Sequence, residues 1–151
     1  MFGSIRFKNI RLSVFCLICA AVFVAVSLVM LRAGAPDTVE INGEDYSLRA
    51  EDEEDIEAFI NACGYDTEGL LTDMEITVPK VWNDTYIGYN ELQKTQGLDL
   101  TQYKGKFAQE YIYACRGGDS CITLLICGGR IAAAHISAAD GSDMRPLINT
   151  E

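Results

Sequence analysis

The stretch from residue 89 to residue 106, YNELQKTQGLDLTQYKGK, concentrates groups that could bind a ligand. Amide and ammonium side chains spaced along it could line a polar groove. The same stretch suits a structural joint, because Gly97 and Gly105 lie where a helix would end and where a strand would begin. The candidate residues of this surface or joint are Tyr89, Asn90, Gln93, Gln96, Asp99, Tyr103 and Lys104. We favour the joint, since helices that stop at a glycine before a strand are common.

Thiols are the second group of side chains that could do chemistry. Four cysteines lie after residue 35, namely Cys63, Cys115, Cys121 and Cys127. Outside a cell disulfides persist, and four cysteines allow three pairings, which the sequence does not distinguish. Cys115 and Cys121 flank a short turn and could face each other across a hairpin, so they form the candidate disulfide; buried, reduced thiols are the alternative. Zinc sites need close pairs such as C-x-x-C, which these four do not form, and no metal or other cofactor is predicted.

The single histidine, His135, is the remaining candidate for acid–base chemistry. It lies in an alternating segment, AAHISA, which is typical of a half-buried strand histidine. A thiol-dependent enzyme or redox protein that uses Cys121, Cys127 and His135 is the alternative interpretation. No G-x-S-x-G motif accompanies these residues, so the chain is not expected to be an enzyme. The acidic run 51–55 predicts a helix start, because acids stabilise the positive end of the helix dipole.

The charge of the chain is divided unevenly between its two parts. All 22 acidic residues lie after residue 35 together with 8 of the 12 basic residues, so residues 36–151 carry a formal charge of −14. Such a surface repels phosphate backbones, and no nucleic acid partner is predicted.

Residues 12–31, LSVFCLICAAVFVAVSLVML, form an apolar run without a charged residue. At about 1.5 Å per residue, a helix of this length spans roughly 30 Å, the thickness of a bilayer core. The run therefore predicts a transmembrane helix that contacts membrane lipid, preceded by a basic tail (1–11) and followed by a linker (32–37). Residues 38–151 would form the domain outside the membrane.

Basic residues predict how this helix is oriented. Arg6, Lys8 and Arg11 precede the run, whereas Arg32 alone follows it, which favours a cytoplasmic N-terminus and an extracytoplasmic C-terminal domain in the cell membrane. A secreted domain cleaved after Ala35 is the alternative. We favour an uncleaved signal-anchor, because a proline follows the cleavage site and the run is longer than a usual secretory signal.

Turn signals and periodicity predict the elements that position the candidate residues. Asn42-Gly43 predicts a tight hairpin over residues 38–48, and Ile56, Phe59, Ile60 and Cys63 lie on one stripe of a helix. The other predicted elements are a strand at 74–78, a helix at 82–96 and strands at 106–115, 121–127 and 130–138. This order predicts an α+β fold, with a small, mostly antiparallel sheet and two helices on one face.

Four motifs give the chain a family resemblance: Gly64-Tyr65 after the first helix, Val78-Pro79 at a strand end, Tyr89 to Gly97 and Asp99 to Lys106. Over roughly residues 38–148 the chain resembles an uncharacterised family of membrane-anchored proteins of Gram-positive bacteria, domain of unknown function 4830. The resemblance implies an anchored α+β domain of the bacterial cell envelope and no particular activity. Together with the absence of a catalytic motif, it leads us to expect a non-catalytic binding or interaction domain with an envelope protein as partner.

Overall fold

The computed structural model describes residues 37–148. The predicted basic tail, the transmembrane helix 12–31, linker residues 32–36 and the last three residues lie outside this range. The described elements are β1 (Thr38–Ile41), β2 (Glu44–Ser47), α1 (Glu53–Ala62), β3 (Thr67–Thr77), α2 (Asp84–Lys94), a 3-10 turn (Leu100–Tyr103), β4 (Phe107–Cys115), β5 (Ser120–Ile126) and β6 (Ile131–Ala138). Within residues 37–148, no helix has the length and apolar character needed to cross a membrane.

The strands form two antiparallel sheets, which confirms the predicted α+β class. A hairpin of β1 and β2 turns at Asn42 and Gly43, and both residues adopt the positive φ angles that a tight type I′ turn requires. The larger sheet has the order β3-β4-β5-β6, so each strand pairs with its neighbour in sequence. This arrangement needs only short connections and leaves β3 and β6 at the two edges.

The larger sheet is covered on both faces. Strand β5 is buried at five consecutive positions, Ile122 to Ile126, whereas a strand covered on one face alternates between buried and exposed residues. Ile122 and Leu124 point to one side, here called the core face, and Thr123 and Leu125 point to the other, here called the pocket face. A layer of structure must therefore lie against each face.

Helix α1 and the β1–β2 hairpin cover the core face. Asp52 caps α1 by accepting a hydrogen bond from the backbone N–H of Asp55, as its position before the acidic run predicts. Ile56, Phe59 and Ile60 on the buried stripe of α1 contact the same apolar cluster as the core-face residues of β4, β5 and β6. The predicted helix stripe is thus confirmed.

Helix α2 lies on the pocket face, so the prediction that both helices share one face is wrong. Tyr89 of α2 contacts His135, which lies opposite Thr123 in the β5–β6 ladder and therefore points away from the α1 side. Strands β5 and β6 are buried at consecutive positions, Ile122 to Ile126 and Ile131 to Ser137, and burial on both faces needs a covering layer on each side.

Strand β3 is longer than the predicted strand at 74–78. It begins at Thr67 and contains two register irregularities against β4, one between Thr67 and Gly69 and one between Leu70 and Thr72. Each bulge breaks the alternation of side chains, which is why the first half of the strand carries no period-2 signal in the sequence.

Candidate functional site

A cavity of about 420 Å³ lies between helix α2 and the pocket face. Its floor takes one residue from each of the four strands: Ile76, Glu110, Leu125 and His135. The remaining lining residues are Thr85, Tyr86, Gly88, Tyr89, Leu92 and Met144. The walls are mainly apolar and aromatic with a few polar groups, the composition usual for small-molecule sites.

Gly88 of helix α2 is one of the residues that line this cavity. It lies inside helix α2, where glycine is destabilising relative to alanine by about 0.5–1 kcal/mol. A Cβ atom added at Gly88 would meet no heavy atom within 4 Å, so no close packing within the described chain requires the glycine. Gly88 is exposed, and the missing side chain leaves the helix backbone uncovered at this position.

Tyr89 of helix α2 and His135 of the floor form a neutral pair in the cavity. The Tyr89 hydroxyl and His135 Nδ1 are 3.0 Å apart, and the two rings meet edge to face with centroids 5.5 Å apart. Burial lowers the pKa of His135 to about 4, and burial together with the nearby Glu110 carboxylate raises the pKa of Tyr89. Both side chains are therefore uncharged at neutral pH.

Glu110 provides the only charged side chain in the lining of the cavity. The side chain is half-buried, and none of the ion pairs within residues 37–148 includes it. It faces the cavity because it lies opposite Leu125 in the β4–β5 ladder, on the same face of the sheet. The cavity thus contains one carboxylate and no Lys or Arg.

Gln93 and Gln96, predicted as joint or groove residues, are completely buried and bind the backbone at the edge of β6. Gln93 Oε1 accepts a hydrogen bond from the N–H of Ala134 (2.9 Å), and Gln96 Nε2 donates to the carbonyl of the same residue (2.6 Å). Gln96 Oε1 also accepts from the N–H groups of Leu147 and Ile148. The two amides act here as a substitute for a neighbouring strand and are not available to line a groove.

Asn90 and Asp99 form the other half of the joint. Asn90 is buried, its Oδ1 accepts from the N–H of Leu100 (2.7 Å), and its Nδ2 donates to Asp99 Oδ1 (3.0 Å). Asp99 also accepts from the N–H of Thr101 and so caps the 3-10 turn. These contacts fix the segment after α2 against the helix itself, which agrees with the structural interpretation of this stretch.

The last two candidates of the joint lie apart from the cavity. Tyr103 is buried, and the Lys106 ammonium lies 5.3 Å from its ring centroid. Lys104 is exposed and places its ammonium 3.9 Å from the ring centroid of Trp82, a cation–π contact. Of the seven predicted residues, only Tyr89 lines the cavity.

All four cysteines of the described region are free thiols, including the predicted pair Cys115 and Cys121. In the β4–β5 ladder the residue opposite Cys121 is Ala114, so Cys115 is displaced by one position and its side chain points to the other face. Burial raises the pKa of Cys63 to about 12 and that of Cys127 to about 11, which disfavours the thiolate.

The cavity was not predicted from the sequence, because most of its lining residues are ordinary strand and helix residues. Two features of the sequence could have indicated the cavity. Gly88 interrupts a helical segment without ending it, and Glu110 is the one carboxylate in the alternating strand β4. Interior glycines in helices and charges in buried strands both need an explanation outside local structure.

No protein-family model, no curated protein and no solved structure matches the chain. The resemblance to domain of unknown function 4830 therefore stays a prediction. Within residues 37–148, no group of three or more His, Cys, Asp or Glu side chains is placed to hold a metal ion.

Proposed function

We propose that the chain is a single-pass membrane protein whose outer domain binds a small, largely apolar ligand in the cavity between α2 and the sheet. The observation that carries this proposal is the cavity of about 420 Å³ between α2 and the sheet, which Gly88 helps to line. A helix that keeps a glycine at a cost in stability, with no described atom near the absent Cβ, fits a site where a ligand approaches the helix backbone.

Binding accounts for the cavity better than catalysis does. A general base near neutral pH needs a pKa close to 7, whereas burial holds the pKa of His135 at about 4. A thiol nucleophile needs a lowered pKa, whereas burial raises the pKa of Cys63, Cys115 and Cys127. The thiol-dependent envelope enzyme is thus the weaker alternative, and rapid alkylation of one cysteine at neutral pH would favour it.

The cellular setting of the proposal rests on the sequence. The apolar run 12–31 would anchor the chain in lipid with the N-terminus in the cytoplasm, and the domain after residue 37 would face the envelope. An envelope protein could then share the site or deliver its ligand. A domain released after Ala35 would bind the same ligand away from the membrane, and the N-terminal residue of the mature protein distinguishes the two cases.

Trp82 offers a direct test, because it is the only tryptophan and stacks on Tyr86 of the cavity wall with ring centroids 6.4 Å apart. The full chain in lipid vesicles is titrated with benzyl alcohol while the fluorescence of Trp82 is recorded, and protein-free vesicles correct for partitioning. We expect a saturable change with a Kd on the order of millimolar, the range for so small a probe.

Gly88→Leu and Gly88→Ala provide the matched variants. Leucine is a good helix former that adds a bulky side chain at a lining position and should abolish the saturable change, whereas alanine should preserve most of it. Circular dichroism checks that both variants fold. A Gly88→Leu protein that is folded and still binds the probe like the unmodified chain would refute the proposal.

A further inference from the structure

The charge of the cavity is one-sided, and this bears on the class of ligand. Glu110 is the only charged lining residue, and no ion pair within residues 37–148 includes its carboxylate. A half-buried carboxylate among apolar side chains is costly to desolvate unless a cation accompanies it. The Glu110 carboxylate can therefore accept hydrogen bonds from a cation, and none of the lining residues is a cation.

The other polar groups of the cavity do not supply that donor. Tyr89 and His135 are hydrogen-bonded to each other, and burial keeps the histidine uncharged at neutral pH. None of the described lining residues is positively charged, so a positive charge inside the cavity has to come from a ligand.

The walls suit a cation with an apolar body. Tyr86 and Tyr89 offer aromatic rings, whose faces attract ammonium groups, and Leu92, Leu125 and Met144 add apolar surface. The acidic surface of the whole domain also raises the local concentration of cations and lowers that of anions.

We propose that the cavity selects an organic ammonium ion, an amine with an apolar or aromatic body, and that Glu110 is its anionic partner. This inference rests on the proposed function and names the ligand class for the same site. Two sources share the required chemistry: a free small amine and the side chain of a lysine on a partner protein.

Three probes of one shape test the charge preference: benzylamine, benzyl alcohol and benzoate. Each is titrated into the full chain in lipid vesicles, with Trp82 fluorescence as the signal. A charge-assisted hydrogen bond of about 1.5–3 kcal/mol corresponds to roughly tenfold to a hundredfold in affinity. We therefore expect benzylamine to bind at least about tenfold more tightly than benzyl alcohol, and benzoate more weakly than both.

Glu110→Gln removes the charge and preserves the shape of the side chain. We expect this variant to lose the preference for benzylamine while it still binds benzyl alcohol. Glu75→Gln is the matched control, because Glu75 lies opposite Gln109 on the core side of the neighbouring strand and is exposed. It makes the same change in net charge away from the cavity and should leave all three affinities nearly unchanged.

The outcomes separate this inference from the proposed function. Equal binding of benzylamine and benzyl alcohol, or an unchanged preference in Glu110→Gln, would refute the ammonium inference and preserve the cavity as an apolar site. If none of the three probes binds saturably to the unmodified chain, both the ammonium inference and the proposed function are refuted. The methylamide of Nα-acetyl-lysine has both backbone ends blocked and a free side-chain ammonium group. If this compound binds more tightly than benzylamine, a lysine side chain is the source; the reverse order identifies a free amine.

Discussion

The pH dependence of stability tests the burial of His135 directly. Burial lowers the pKa of this side chain from 6.5 to about 4 in the folded protein, so the unfolded chain binds the proton more strongly. The stabilising effect is fully present above pH 6.5 and is lost as the pH falls from 6.5 towards 4. Because one pKa unit corresponds to 1.36 kcal/mol, the complete loss is about 3 kcal/mol. About 2 kcal/mol of it should occur between pH 8 and pH 5.

We attribute the change in the free energy of unfolding between pH 8 and pH 5 to His135. His135 is the only histidine of the chain. Asp99, which has a pKa lowered through its hydrogen bonds to Thr101 and Asn90 despite partial burial, adds pH dependence only below its ordinary value of 3.8. The slope between pH 8 and pH 5 is therefore a measure of the histidine in the cavity.

Urea unfolding followed by Trp82 fluorescence gives the free energy of unfolding of the outer domain at each pH. The full chain in lipid vesicles is compared with His135→Asn, which retains a polar group near the Tyr89 hydroxyl and does not titrate. In the unmodified chain we expect the free energy of unfolding to fall by about 2 kcal/mol between pH 8 and pH 5. In His135→Asn we expect it to stay nearly constant over the same range. A flat profile in the unmodified chain, or the same slope in His135→Asn, would show that the histidine is not buried as a neutral side chain.

Three further changes test other parts of the structure. Gly88→Ala should raise the free energy of unfolding by about 0.5–1 kcal/mol in urea, since no described atom opposes the new Cβ; a destabilised variant would mean that the glycine is needed for packing. Gln96→Leu leaves three buried backbone groups unpaired and should cost about 3 kcal/mol or more; a cost under about 1 kcal/mol would contradict the bonds described for its amide. Alkylation at neutral pH should be slow at Cys63 and Cys127 and fast in urea, as mass spectrometry of peptides would show; rapid alkylation of the folded chain would contradict their burial.

Local signals predicted the parts of the fold that depend on local physics. The Asn42-Gly43 turn and the capped helix after Asp52 follow from backbone preferences and from the spacing of apolar residues, and the structure has both. The anchor at 12–31 was predicted with equal clarity, but it lies outside the described residues.

Features that depend on distant partners could not be predicted from the sequence. Gln93 and Gln96 have the composition of an exposed helix face, and only the unpaired edge of β6, about forty residues later in the chain, explains their burial. The cavity has the same origin, because its floor takes one residue from each of four strands. A periodicity argument identifies a buried face but not the layer that covers it.

The two margins of the large sheet differ in a way that limits how it can be extended. Along β6, the outward backbone groups of Ile131, Ala134, Ile136 and Ala138 are hydrogen-bonded to loop backbone or to glutamine side chains. The opposite margin, residues 68–77 of β3, makes no backbone hydrogen bond within the described chain beyond its ladder with β4. Any polypeptide that adds a strand to this sheet, in a complex or in an aggregate, therefore has a single side on which to dock.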